Sequence, residues 1–354
     1  MSSSLKSALA VARDYPLDAR NSFGIKARAQ AYLAVHGIDQ LQALRADRDL
    51  FAMPRLVLGG GSNLVLTGDF DGLVLHSALR GIEIVAHSAD ATLVRVGAGE
   101  AWHGLVQWTL ARGLGGLENL SWIPGSVGAA PIQNIGAYGT DLASYFASLR
   151  AFDFATGAVL ELDRAACRFG YRDSIFKGAM AGRCMILDVT MALPTRWVAN
   201  LQYGELAAAL AHIAEPTMQQ ISAAVIAIRQ AKLPDPAVLG NAGSFFKNPL
   251  VTRAQRDALL QQHPGLISHQ QPDGRCKLAA GWLIDRCGWK GRSLGAAGVY
   301  SKQALVLVNH GGATGADIMR LAHAIAADVQ QRFGVVLETE PVVVGATGPA
   351  AKSL

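Results

Sequence analysis

The sequence predicts an α+β protein, rich in strands up to about residue 215 and mixing helices with strands after it. Three observations carry this. Period-two alternation dominates the first part, broken by the amphipathic run EAWHGLVQWTLARG. Three helical patterns follow residue 215. From there to the end, helices and strands alternate.

Taken in order, MPRLVLGGGSNLVL reads as a strand, a glycine turn and a second strand. GIEIVAHSADATLVRVGAG alternates on both sides of a Ser-Ala-Asp turn, as a hairpin does. The helix in EAWHGLVQWTLARG stops at Gly113, and a long glycine-rich stretch follows. LRAFDFATGAVLELD is a second hairpin, turning at Thr156 and Gly157, and CMILDVTMALP is a further strand. In the second part, TMQQISAAVIAIRQAKLPDP is a helix that ends before two prolines. TRAQRDALLQQHP is a helix capped by Thr252, and ADIMRLAHAIAADVQQRFG is a long helix ending at Gly334. VVLETEPVVVG closes the pattern as an alternating strand, and the tail GATGPAAKSL reads as frayed.

The bulk composition narrows the function classes. A chain of 354 residues has room for two or three packed units at roughly 100 to 200 residues each. Hydrophobic residues make up 51% and charged residues 17%. No apolar run reaches the roughly 18 to 20 residues needed to span a bilayer. Lys6, Arg13 and Asp14 interrupt the start, so no secretory signal is read there and a cytoplasmic protein is expected. Cys167, Cys184, Cys276 and Cys287 lie far apart with no metal-ligand spacing, and read as buried thiols with no metal. The net charge of +5 is scattered, so nucleic acid is not an expected partner; a small anionic ligand accounts for the excess as well.

Three constellations can carry chemistry. In LGGGSN, consecutive glycines after a strand let backbone N–H groups converge on a pyrophosphate that no Cβ obstructs. The Rossmann spacing is absent and a strand follows, so a plain hairpin turn explains the motif as well. IPGSVGAAPIQNIGAYG, residues 123 to 139, mixes glycines with Pro124, Pro131, Gln133, Asn134 and Tyr138; so long a loop of this composition packs poorly unless it wraps a ligand. In GNAGSFFKNP, Ser244 reads by propensity alone as a turn residue before a buried strand.

LGGGSN, GLENLSWIPGSVGAAPIQNIGAYG, FGYRDSIFK and GNAGSFFKNP, in this order, resemble the UDP-N-acetylenolpyruvoylglucosamine reductase (MurB) family, in its larger type with a tyrosine-bearing loop. The resemblance runs from NSFG at 21 to about Gly345. It implies an FAD-binding domain of the vanillyl-alcohol-oxidase/PCMH type in two lobes plus an α+β substrate-binding domain. The implied division is 1–80 for the first lobe, with 345–354 returning to it, 81–216 for the second lobe, and 217–344 for the substrate domain.

The implied reaction has two halves. NADPH reduces a noncovalent FAD, which then gives hydride to the enolpyruvyl double bond of a UDP-sugar. Nicotinamide and sugar use one site in turn, consistent with the lack of any segment resembling a separate NADPH domain. Three catalytic residues carry over. Arg172 would stabilise the enolate charge beside the substrate carboxylate, Ser244 would donate the proton, and Glu340 would assist. Alternation leaves Glu338 and Glu340 equivalent; register with the family selects Glu340. Leu58, Gly59, Gly60, Gly61, Ser62, Asn63, Pro124, Gly125, Ser126, Gly128, Asn134, Gly136, Ala137 and Tyr138 match the cofactor-binding set. Tyr203, Lys232, Lys247, Asn248 and Gln303 match substrate-binding positions, with Lys232 and Lys247 as candidates to poise Ser244. Two departures stand out: Pro341 after Glu340, and His269 about where the larger type often has a tyrosine. A monomer is expected. The rival readings are a same-fold FAD oxidase of a small hydroxy acid or sugar lactone, and a silent nucleotide-sugar or flavin-binding protein.

Overall fold

Apolar residues recurring along Phe146–Asp153 and Cys184–Pro194 place these strands at the centre of a five-stranded antiparallel sheet. The computed structural model describes residues 9–349. The sheet order is Val159–Asp163, Phe146–Asp153, Cys184–Pro194, Ala91–Gly97, Ile82–His87, so both predicted hairpins form. Cys184–Pro194 is buried along most of its length. Ala91–Gly97 alternates between buried and half-buried residues, and Ile82–His87 is mostly exposed at the edge. Trp102, Leu105 and Val106 of the predicted helix, here Trp102–Leu110, pack with Val94, Val96, Val189 and Met191. Burial of side chains of this size stabilises by about 1.5–3 kcal/mol each.

The first compact unit comprises residues up to Tyr15, Ala29–Gly61 and Asp71–Ala231. Besides the five-stranded sheet it holds a four-stranded one, ordered Ala12–Pro16, Arg28–Val35, Phe70–Ser77, Arg55–Leu58. A second core lies there, with Leu33, Val35, Leu73 and Leu75 against Leu41 and Leu44 of the helix Ile38–Ala46. That helix was not read from the sequence, because its apolar face is only two residues wide. Met218–Lys232 is helical as predicted, but nearly all of it belongs to this unit: Ile221 and Val225 pack on Leu206 and Leu210. The composition shift near 215 therefore marks the start of a helix, while the compact unit ends at 231.

The second unit comprises Pro16–Arg28, Ser62–Phe70 and the chain from Lys232 on. Its four-stranded sheet runs Gly240–Ser244, Val306–Asn309, Ala297–Val299, Ser293–Leu294. The helix Gly315–Phe333 begins at a capping box between Thr314 and Asp317 and stops at Gly334, whose φ is +62°. It buries Ile318, Leu321, Ala322, Ile325 and Val329.

Two expectations change here. The strands flanking LGGG do not form a hairpin: Arg55–Leu58 pairs in parallel with Phe70–Ser77, and Leu64–Leu66 pairs in parallel with Val342–Gly345. The closing strand is also shorter than VVLETEPVVVG. Only Val342–Gly345 is strand, and an isolated bridge joins Thr339 to Phe246. Within the tail expected to fray and to return to the first lobe, Gly348–Pro349 pairs with Val344–Gly345 in the second unit; residues 350–354 lie outside the described residues.

Candidate active site

In the first unit, two glycine-bearing segments cross at close range. A Cβ on Gly60 would lie 2.8 Å from the Cα of Gly125, so no side chain fits there unless backbone moves, and one on Gly59 would lie 2.3 Å from Ser126 Oγ, which would have to rotate away. Pro124 leads into this crossing, and Val127–Ile132, containing Gly128, continues as 3₁₀ turns. Ser126 Oγ is buried here without a hydrogen-bond partner. An orphan hydroxyl of this kind costs about 1–3 kcal/mol until something bonds to it. Of the LGGGSN residues, Leu58, Gly59, Gly60 and Gly61 fall in the first unit and Ser62 and Asn63 in the second.

The loop from 133 to 141 is tied down by Asn134, whose φ is +46°. Its amide donates to Asp141 Oδ2 (3.0 Å) and to the Gly170 carbonyl (3.1 Å), and its oxygen accepts from Ala143 N–H (3.0 Å). Asn134 thus clamps the turn that carries Arg172. Gly170 and Asp173 exchange backbone hydrogen bonds around it, and Arg172 at the third position has φ +53°, as a type II turn requires. The guanidinium donates to the Gly136 carbonyl at 2.9 Å, while Lys177 Nζ donates to the Arg172 carbonyl at 2.9 Å. Gly136–Ala137 forms a two-residue ladder with Thr140–Asp141.

Tyr138 follows, at φ +49°, with its ring edge-on to Tyr203 at 5.1 Å between centroids. Tyr203 is 45% exposed and precedes the short helix Gly204–Ala209. Burial pushes the Tyr138 phenol up to about 12, opposed by the charge and hydrogen bond of Arg229. Burial lowers the Arg229 pKa, and the neighbouring Arg172 charge lowers it further. Arg229 Nε donates to the Trp122 carbonyl (3.2 Å), and Trp122 N–H donates to His103 Nδ1 (3.0 Å). Burial and then Arg229 lower the His103 pKa, which favours a neutral ring. Sequence reading missed Arg229, although its spacing carried a signal: Ile221, Val225 and Arg229 lie four apart, so the arginine continues a buried stripe.

In the second unit, Ser244 ends the strand Gly240–Ser244 opposite Val306, after an irregularity between Asn241 and Ser244. Gly243 takes φ +69° there with open space around it, and its amide donates to Asn241 Oδ1 at 2.9 Å. Asn241 in turn donates to the carbonyls of Pro234 and Leu239. Ser244 is partly buried, and among the described residues its hydroxyl makes no hydrogen bond. Phe245 and Phe246 are fully buried and pack edge-on, Phe245 also on Phe23. They form the floor beneath this segment.

The Glu340 segment runs beside it. Glu340 N–H donates to the Phe245 carbonyl (2.8 Å), and Lys247 N–H donates to the Glu338 carbonyl (2.9 Å). Val342 N–H donates to the Asn63 carbonyl (2.9 Å), so Asn63 anchors the backbone next to Glu340. The two glutamates part company here: exposed Glu338 pairs with Lys247 at 2.8 Å, while a bend at Glu340 breaks the alternation that made them equivalent. Pro341 is accommodated just before Val342–Gly345, outside the ladder. Asn248 Oδ1 accepts from Ala280 N–H at the start of Ala280–Arg286, and Gln303 Oε1 accepts from Leu305 N–H. Lys232 belongs to this unit, and His269 lies on the exposed strand Ser268–Gln270. No group of three or more His, Cys, Asp or Glu among the described residues could hold a metal.

Residues 29–163 match the model of an FAD binding domain, and residues 235–344 match that of the UDP-N-acetylenolpyruvoylglucosamine reductase C-terminal domain. A UDP-N-acetylenolpyruvoylglucosamine reductase of Paraburkholderia phymatum is 58% identical, covering 93% of this chain and 96% of that protein. One of Burkholderia multivorans is 56% identical over 95% and 98%. The crystal structure of the Thermus caldophilus enzyme superposes with a TM-score of 0.64 at 25% identity, covering 94% of this chain and 97% of that one. The expected α+β arrangement, an FAD-binding domain followed by the reductase C-terminal domain, is borne out. On this identity over nearly its whole length, the chain belongs to the UDP-N-acetylenolpyruvoylglucosamine reductase family.

Proposed function

We propose that this protein is an FAD-dependent reductase that uses NADPH to convert the enolpyruvyl group of a UDP-N-acetylglucosamine derivative to the lactyl ether of UDP-N-acetylmuramate, a step of peptidoglycan precursor synthesis. The observation that carries the proposal is the near full-length identity to enzymes of that name. The local architecture supports the cofactor. Ser126 Oγ, an orphan beside the Gly59–Gly60 crossing, suits a diphosphate oxygen, with the backbone of Gly61, Pro124, Gly125 and Gly128 close at hand in sequence. Bound FAD supplies the hydride that it takes from NADPH.

The rest of the chemistry falls to side chains. As the methylene carbon gains hydride, negative charge gathers on the carbon beside the substrate carboxylate, and the Arg172 guanidinium is suited to both charges. The Ser244 hydroxyl delivers the proton that completes the reduction. Lys232 and Lys247, the latter paired with Glu338, are the candidates to balance the charge on the Ser244 oxygen. Glu340 assists on the substrate carboxylate side. Tyr203, Lys232, Asn248 and Gln303 hold the sugar nucleotide, with the half-exposed Tyr203 suited to a diphosphate oxygen. We place the enzyme in the cytoplasm as a monomer; among the described residues no helix is long and apolar enough to cross a membrane.

The test is steady-state turnover of the purified yellow protein. NADPH oxidation that depends on the enolpyruvyl sugar, yielding a product heavier by two hydrogens, is the expected result. Oxygen consumption on a hydroxy acid without NADPH would favour an oxidase instead.

A further inference from the structure

Two asparagine side chains join the turn that carries Tyr138 to the turn that leads into Tyr203, all within the first unit. Buried Asn119 uses its amide twice, donating to the Tyr138 carbonyl at 2.8 Å and to the Asn200 carbonyl at 2.9 Å. Asn200 works from the other side. Its amide donates to the Gly139 carbonyl and to Thr140 Oγ1, each at 3.0 Å, while its Oδ1 accepts from Gln202 N–H at 3.2 Å. The last bond closes an Asx turn just before Tyr203. Gly139, at φ +80°, brings the two backbones together: a Cβ there would lie 3.5 Å from Asn200 Oδ1 and 3.8 Å from Tyr203 N.

Upstream, the same segment is fixed a second time. Trp197 Nε1 donates to Glu118 Oε1 at 2.7 Å, and Glu118 Oε2 accepts from Gly116 N–H at 2.6 Å. Trp197, Ala199 and Leu201 pack against the cluster of Leu206, Leu210, Ile221 and Val225. Tyr203 itself is held differently. It is 45% exposed and meets Tyr138 edge-on, and among the described residues its hydroxyl makes no hydrogen bond. A fixed backbone beneath an unbonded phenol can take a ligand without the entropy cost of ordering a loop.

We propose that Asn200 is a positioning residue for the sugar nucleotide: its bonds to Gly139 and Thr140 seat the turn that presents the Tyr203 phenol to an anionic oxygen of the diphosphate. This rests on the function proposed above, which gives Tyr203 to the substrate. Asn200 acts only by restricting residues 200–203, so its effect on binding is bounded by that of Tyr203.

The experiment measures binding to the oxidised, FAD-loaded enzyme without NADPH, so that no turnover occurs. The enolpyruvyl UDP-sugar is titrated and the flavin absorbance followed for the parent, Asn200→Ala, Thr140→Val, Tyr203→Ala and Tyr203→Ala/Asn200→Ala. Loss of the phenol should raise the Kd by about 10–100-fold. Asn200→Ala should raise it by about 3–30-fold and by no more than Tyr203→Ala does, with a smaller rise in Thr140→Val, which removes one of the two acceptors. Because Asn200 acts through Tyr203, the double variant should be within about twofold of Tyr203→Ala. At saturating sugar, reoxidation of the NADPH-reduced flavin in Asn200→Ala should stay within about twofold of the parent, since positioning alters binding and leaves the chemistry alone.

Effects that multiply in the double variant overturn the inference, because a merely structural role would add to the loss of Tyr203. So does an unchanged sugar Kd in Asn200→Ala or in Tyr203→Ala, or a rise confined to the Kd of FAD, which would mean that these bonds serve the cofactor alone. If Asn200→Ala does not fold, Thr140→Val replaces it in the cycle: its rise in Kd should vanish in the Tyr203→Ala background, and an undiminished rise there is fatal. Absence of sugar binding by the parent overturns the proposed function and this inference together, whereas parent binding with multiplying variants overturns this inference alone.

Discussion

Arg172 in the first unit and Ser244 in the second both sit at a backbone irregularity with positive φ, but the strain is carried differently. At Arg172 the functional residue itself is left-handed, at φ +53°. That conformation costs a residue with a Cβ about 1–2 kcal/mol. It persists because Asn134, Lys177 and the Gly170–Asp173 bonds all hold the turn. At Ser244 the preceding Gly243 takes the left-handed position at little cost, and Asn241 holds its amide. The first device fixes a long side chain by enclosing a strained turn, while the second presents a short hydroxyl on an unstrained bulge. Strain is stored where surrounding bonds over-determine it.

Substitutions can break each half of this comparison. The largest effect should come from Ser244→Ala, which removes the proton donor but no hydrogen bond within the protein. Sugar-driven reoxidation should slow by about 10²–10⁴-fold while reduction by NADPH keeps its rate, as single-turnover absorbance will show. Arg172→Ala should lower kcat by about 10²–10³-fold through loss of charge stabilisation, measured in steady state. Asn134→Ala removes three hydrogen bonds, to Asp141, Gly170 and Ala143, and should cost about 1–3 kcal/mol in urea unfolding, with a raised KM because the Arg172 turn loosens.

Smaller effects test the strain directly. Gly243→Ala meets no atom, so its cost is the left-handed backbone alone, about 1–2 kcal/mol in the same unfolding measurement. At the other site the sign reverses: Arg172→Gly should be more stable than Arg172→Ala by about 1 kcal/mol, though both lack the guanidinium. Glu338→Gln, which weakens the exposed pair with Lys247, should shift stability by less than about 1 kcal/mol.

Much of the strand and helix pattern was legible because period-two runs, a Thr252 cap and glycine stops at 113 and 334 act locally. What pairs with what was not. LGGG reads as a hairpin turn, but its flanking strands find partners far along the chain, and parallel pairing leaves no mark at the turn. The end of VVLETEPVVVG misled for a similar reason: the bend at Glu340 is set by bonds to Phe245 and Asn63, which alternation cannot reveal. At the candidate site, the composition of residues 123 to 139 announced a special loop. The part of Asn134 as a clamp, with three bonds to the protein, was not legible, because its partners at Asp141, Ala143 and Gly170 are set by tertiary packing. Arg229 escaped because an arginine in a helix is ordinarily solvated, and only its place in the 221–225–229 stripe marks it.

The central claim, that one flavoenzyme takes hydride from NADPH and hands it to an enolpyruvyl UDP-sugar, is tested most directly by mixing the parent protein in two anaerobic steps. The flavin band should bleach with one equivalent of NADPH and return in full on addition of the sugar, with UDP-N-acetylmuramate formed in equal amount. Bleaching by NADPH with no recovery on adding the sugar would contradict it.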